Sequence, residues 1–154
     1  MSDHIRMRRH LDDALPPAIW PAGVRLLPLQ RADPRALHTI LTDAYANGFG
    51  STAPFEDWWP KLSADTEFDP ALVFVAADEV GQPIGVAQCW TSGFIKDLAV
   101  VPAWRGKGIG DALLYAVFAA FRHRGLGHVD LKVITANTSA LRLYRRVGMV
   151  EAPL

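Results

Sequence analysis

Six consecutive residues, Arg105-Gly106-Lys107-Gly108-Ile109-Gly110, carry the clearest chemical signal in this chain. Three glycines in five positions strip Cβ atoms from the backbone, so an anion can approach the main-chain amides closely. An apolar run, Ile95 to Val101, enters the turn, and an amphipathic run, Ala112 to Phe121, leaves it. The order strand, glycine-rich turn, helix adds the unpaired N–H groups of a first helical turn and the positive end of its dipole. Such a turn is a phosphate cradle. Arg105 and Lys107 add positive charge, but solvated charges contribute modestly, so amide geometry should matter more.

The spacing excludes two phosphate ligands. No Gly-Lys-Ser/Thr follows four residues after a glycine, which removes the nucleoside triphosphate loop. Gly106, Gly108 and Gly110 do not space as G-x-G-x-x-G, and Asp111 stands where the last glycine belongs, which removes the dinucleotide fingerprint. What remains is R-x-x-G-x-G, preceded by Leu98-Ala99-Val100-Val101-Pro102. About thirty residues later comes a second block, N-x-x-A-x-x-x-Y-x-x-x-G, from Asn137 through Ala140 and Tyr144 to Gly148. The two blocks, in this order, resemble the GNAT superfamily of acetyl-CoA-dependent N-acetyltransferases. The resemblance covers roughly Val24 to Val150.

That resemblance implies a single α/β domain, with a mixed, mostly antiparallel sheet flanked by helices and acetyl-CoA as cosubstrate. The amides of Arg105, Gly106, Lys107, Gly108, Ile109 and Gly110 would take its pyrophosphate. Leu98, Ala99 and Val100 would pair through their backbone with the pantetheine arm, in a wedge where the strands on either side of the long helix splay apart. Asn137 would touch the arm from the other side, and the N–H of Val100 or its neighbour would face the oxyanion. Tyr144 matches the family's general acid; its phenol, with a reference pKa near ~10, can protonate a leaving thiolate whose conjugate acid lies near ~8.5. The alternative reading of Tyr144 is a core residue sharing a helix face with Ala140 and Val147.

The acceptor would be a primary amine of a small molecule or a protein, attacking directly in a ternary complex. Its base is not assigned. Relatives often carry Glu at the position of Phe94, which cannot serve; Asp97 falls on the opposite face of the strand by simple alternation. Glu56, Asp57 and a water chain stay open. Only six residues follow Gly148, too few for the hairpin that usually completes this fold. The last strand is then missing, supplied by a partner in a homodimer, or replaced by the N-terminal arm. The absent base and short end also admit a non-catalytic acyl-CoA-binding regulatory module.

Length and composition fit this reading. A chain of 154 residues makes one domain with a substantial core. Sixteen Lys and Arg balance sixteen Asp and Glu, so no nucleic-acid surface is expected. No apolar run approaches a membrane span, and Met1 to Leu15 lacks the apolar stretch of a signal peptide. The single cysteine, Cys89, allows no internal disulfide and suits a reducing cytoplasm; its apolar surroundings predict an inert thiol. The five histidines show no metal-ligand spacing, so no metal is expected.

The positioning elements follow in order. Residues 1–20 read as an arm: Arg6, Arg8 and Arg9 are answered at once by Asp12 and Asp13, a solvated face, and Pro16, Pro17 and Pro21 break any helix. The domain proper is 21–154. Its first strand runs Val24 to Leu29, and Asp33 with Pro34 starts a helix carrying Leu37, Ile40, Leu41 and Ala44 to about Asn47-Gly48. A short helix, Phe55 to Trp59, offers Trp58 and Trp59 to the core or to an acceptor pocket. Ala71–Ala77, Ile84–Trp90 and Phe94–Val101 make an antiparallel meander with turns at Gly81 and Gly93. The Gly108–Arg124 helix, pinned by Leu114, Val117, Phe118 and Phe121, crosses to a parallel strand, Val129–Val133. A last helix runs from Asn137 to Val147.

Overall fold

The computed structural model describes residues 3–12 and 14–154; Met1, Ser2 and Asp13, with the expectations resting on them, lie outside the described residues. Among the described residues, eleven α-helices and β-strands follow one another. They are β1 (His4–His10), β2 (Arg25–Leu27), α1 (Pro34–Tyr45), α2 (Phe55–Ala64), β3 (Phe68–Ala77), β4 (Pro83–Trp90), β5 (Phe94–Val100), α3 (Ile109–His123), β6 (His128–Ile134), α4 (Thr138–Arg146) and β7 (Val150–Ala152). The sheet runs β2-β3-β4-β5-β6-β1-β7, parallel only between β5 and β6. It is the mixed, mostly antiparallel α/β sheet that the motifs implied.

Two cores sandwich it. Leu113, Leu114, Val117, Phe118 and Phe121 of α3 are fully buried against Met7, Ile84, Ile95, Val129 and Leu131 on one face. Each such side chain contributes about 1.5–3 kcal/mol by leaving water. Leu37, Ile40 and Leu41 of α1, with Trp58 and Leu62 of α2, cover Val73, Val75, Val86 and Ala99 on the other. Asp33 caps α1 through the N–H of Arg35, as Asp-Pro predicts. Trp58 belongs to this core, at 7% exposure. The helix that carries it runs on through Pro60 to Ala64, five residues beyond Trp59. Pro60 deletes one helical hydrogen bond, yet the helix continues past it to bury Leu62.

The N-terminal segment needs correction. Residues 4–10 are not an arm but a strand, paired with β6 along its whole length, from His4↔Ile134 to His10↔His128. The period is two: Ile5, Met7 and Leu11 face the α3 core while Arg6 and Arg8 face the other side. Nor are those arginines merely solvated. Arg8 clamps the buried Asp130 with two bonds of 2.8 and 2.9 Å, and Arg6 adds a third at 2.9 Å. Arg9 reaches the carbonyl of Val147 and lies over the Phe118 ring. The other edge of β1 receives the short β7, Arg6↔Ala152 to Arg8↔Val150. Of the three completions expected for the sheet, the described residues show the N-terminal one: β1 lies beside β6, with β7 beyond it.

Candidate functional site

The site begins where the sheet comes apart. β5 and β6 pair only at Phe94↔Asp130, sealed by the N–H of Asp130 on the carbonyl of Gly93 at 2.9 Å. Beyond that point β5 continues against β4 alone, with its other edge open. The N–H of Val101 bonds Ile84 on β4. By alternation, the N–H and C=O of Val100, and those of Leu98, point to the open edge. The carbonyl of Val100 is engaged there by Nε of Arg105 at 3.0 Å, so this side chain latches the glycine-rich turn to the strand end.

A cavity of about 1110 Å³ fills the gap. Leu98, Ala99 and Val100, every residue from Arg105 to Gly110, Asn137 and Tyr144 all line it. The structure therefore brings together all eleven residues singled out from the sequence. Gly106 and Gly108 have φ of 76° and 87°, and a Cβ on either would meet nothing within 4 Å. Their glycines answer a left-handed backbone beside open space. Gly108 is also the N-cap of α3, so the helix's first amides face this space. Gly110 differs: a Cβ there would come 3.0 Å from Leu143, so it sets the close approach of α3 to α4. Asn137 caps α4 through the N–H of Ala140 at 3.3 Å. Acetyl-CoA fits this lining: room for a large ligand, exposed helix-start amides at one end and an unpaired strand edge along one wall.

Tyr144 both packs on the α3 core and opens on the cavity. Burial raises its phenol to about 12. Tyr45, at the end of α1, also lines the cavity, a phenol the sequence reading passed over. Its hydroxyl donates to the carboxylate of Asp97. Burial, then the charge of Asp97, then that hydrogen bond hold Tyr45 protonated far beyond the ordinary phenol range. No local motif marks Tyr45; only its place one residue after Ala44 on the apolar face of α1 hinted at it.

Asp97 corrects a second expectation. The register jumps from Gln88↔Asp97 to Cys89↔Ile95, leaving Lys96 as an extra residue in β5. The bulge cancels one alternation. Trp90, opposite Phe94, packs on the α1–α2 core, and so does Ala99, two residues from Asp97. Phe94 and Asp97 thus share a face. The other acidic candidates are remote: Glu56 and Asp57 are exposed on the first turn of α2, with Glu56 near Arg35, and neither lines the cavity. Trp58 and Trp59 do not line it either; Asn47 and Phe49, after α1, do. Cys89 is fully buried, and burial pushes its thiol up, as an inert thiol requires. Among the described residues, no group of three or more His, Cys, Asp or Glu gathers as for a metal ion. No helix among them is long and apolar enough to cross a membrane.

Residues 35–149 match the model of the acetyltransferase (GNAT) family. The chain is 34% identical to a mycothiol acetyltransferase of Thermobispora bispora, over 95% of this chain and 53% of that protein. It is 37% identical to a streptothricin acetyltransferase of Streptomyces lavendulae, over 55% of this chain and 48% of that one. Among solved structures, a GCN5-related N-acetyltransferase from Sphaerobacter thermophilus superposes with a TM-score of 0.81 at 30% identity, covering 98% of this chain and 49% of that one. The chain spans about half the length of the mycothiol acetyltransferase it matches.

Proposed function

The chain belongs to the acetyltransferase (GNAT) family, and from that premise we propose that it moves the acetyl group of acetyl-CoA to a primary amine, with both substrates bound together. The observation that carries this reading is the continuity of one cavity from the amides of the 105–110 turn to the two phenols of Tyr144 and Tyr45. When bound, acetyl-CoA supplies an activated acyl thioester. The turn from Arg105 to Gly110 holds the diphosphate on its amides, and Lys107 adds charge. The open edge of Leu98–Val100 receives the pantetheine amides as a further strand would, and Asn137 closes on them from α4. The N–H of Val100 or its neighbour would stabilise the negative charge that grows on the carbonyl oxygen; an aimed amide is typically worth ~3–4 kcal/mol of barrier.

Tyr144 gives its proton to the departing sulfur. A phenol at about 12 stays protonated at neutral pH and is ready to donate. The acceptors to try first are amines related to mycothiol and streptothricin, the compounds in two relatives' names, followed by polyamines, amino acids and peptide N-termini. A homodimer is not required to finish the sheet beside β6, since β1 of the same chain lies there. The deciding assay is thiol release from acetyl-CoA with each amine in turn. Release that depends on one amine class supports the reading; CoA binding with no release from any of them would leave an acyl-CoA-binding module instead.

A further inference from the structure

We propose that Tyr45 takes the proton the acceptor amine must shed, and that Asp97 receives the phenol's own proton in the same step. The inference rests on the acyl-transfer reading above and deepens it by supplying the base that the motifs left unassigned. Tyr45 is the catalytic residue, because it faces the cavity. Asp97 is the positioning residue and acts only through it: Asp97 is 5% exposed and does not line the cavity.

Three observations carry it. First, Asp97 is a buried carboxylate with two dissimilar partners: Lys96 Nζ at 3.0 Å, which reaches solvent, and the neutral phenol of Tyr45. Burying a carboxylate is costly unless it is paired, and here one oxygen is met by the ammonium and the other by the neutral phenol. The bulge at Lys96 is what turns this charge toward α1 rather than toward the α3 core. Second, the Tyr45 ring is held: a Cβ on Gly50 would come within 2.7 Å of it, so the loop after α1 presses on the ring. Third, Gln88, the cross-strand partner of Asp97, is 2% exposed, and its Oε1 has no hydrogen-bond partner among the described residues. A buried acceptor left without a donor is costly, and this one lies on the residue paired with Asp97 across the sheet.

The protons balance. An acceptor entering as an ammonium loses two. One passes to the Tyr45 oxygen as the Tyr45 proton passes to Asp97, and from Asp97 it returns through Tyr45 to solvent after the products leave. The lone pair so freed forms the N–C bond, the C–S bond breaks, and its electron pair leaves on sulfur. The second proton, shed by nitrogen as the amide forms, restores to Tyr144 the one it gave the sulfur. Tyr45 cannot serve as a base alone, since burial and Asp97 keep its phenol protonated; it accepts only by handing its own proton on. The groups recorded around Asp97 are Tyr45 from α1, Lys96 on its own strand, and Gln88 and the Cys89 thiol from β4.

The test compares wild type with Tyr45→Phe, Asp97→Asn and the double variant, using the amine that the thiol-release screen selects. Expected is a loss of kcat/KM for that amine of about a hundred- to a thousandfold at pH 7. The loss should shrink as pH rises toward the amine's own pKa, where the free base no longer needs help. The KM for acetyl-CoA should hold steady, and the double variant should be no worse than the worse single one. In the free protein, carbon-13 spectra of the three tyrosines should show one phenol titrating at lower pH in Asp97→Asn than in wild type. Equal losses at every pH, rates within twofold of wild type, or tyrosine titrations unmoved by Asp97→Asn would each overturn the inference. A wild type that releases thiol with no amine would instead overturn the acyl-transfer reading beneath it.

Discussion

Arg146 on α4 grips Asp111 on α3 with both prongs of its guanidinium, at 2.7 and 2.8 Å. Asp111 sits in the first turn of α3, beside the amides proposed to hold diphosphate, where a bare carboxylate would repel a phosphate. The hydrogen bond from Arg146 outweighs burial and holds its carboxyl below the usual range. The pair therefore joins two walls of one cavity and cancels the wrong charge at its anionic end.

Arg146→Ala should weaken CoA binding by about threefold to tenfold in titration calorimetry, more at low salt than at high. Thermal stability should change little, because a pair this exposed contributes under about 1 kcal/mol to folding. Because the folded pKa of Asp111 is lowered, that contribution is present at neutral pH and lost as pH falls through the folded value, which lies under the ordinary carboxylate range. Affinity equal to wild type at low salt would contradict the charge-cancelling role.

Gly108→Ala and Gly125→Ala make a matched pair. Both glycines have positive φ, 87° and 84°, and a Cβ on either meets open space, so each variant should lose about 1 kcal/mol through backbone strain alone. Only Gly108 belongs to the cradle. Its variant should lose more than tenfold in CoA affinity while Gly125→Ala binds as wild type. Equal affinities would remove the turn at Gly108 from the site.

Tyr144→Phe should keep its melting temperature and its CoA affinity while turnover falls by about a hundredfold. Since the phenol lies at about 12, wild-type turnover should show no decline from Tyr144 ionisation below about pH 11. Unaltered turnover, with chemistry shown to be rate-limiting, would return Tyr144 to the core alone.

Asp130→Asn should destabilise the fold by about 1–3 kcal/mol in urea melts, less than a fully buried pair because Arg6 and Arg8 reach solvent. Burial pushes the Asp130 carboxyl up, but the hydrogen bonds from Arg8 and Arg6, with His128 nearby, hold it down. Its folded pKa is lowered overall, so the stabilisation is complete above the unfolded value near ~3.9 and disappears as pH falls through the folded one. A variant as stable as wild type at pH 7 would mean β1 is held by Met7 and its ladder alone.

Local chemistry was legible in the chain. Glycines at 106 and 108 announce a left-handed turn, Asp33-Pro34 a helix start, and Asn137 a cap, because each effect spans a few residues. What stayed hidden depends on partners far away in sequence. Arg6 and Arg8 look solvated until Asp130, more than 120 residues on, lies beneath them. The face of Asp97 follows from one extra residue, Lys96, and a bulge leaves no mark in the pattern of apolar residues. Tyr45 meets Asp97 because that bulge turns the carboxylate toward α1.

The most direct measurement is a crystal structure of the protein with coenzyme A. The account predicts the diphosphate on the amides of residues 105–110, the pantetheine arm along the open edge of Leu98–Val100, and the thiol near Tyr144. A diphosphate bound elsewhere, or an arm that leaves that edge bare, would contradict it.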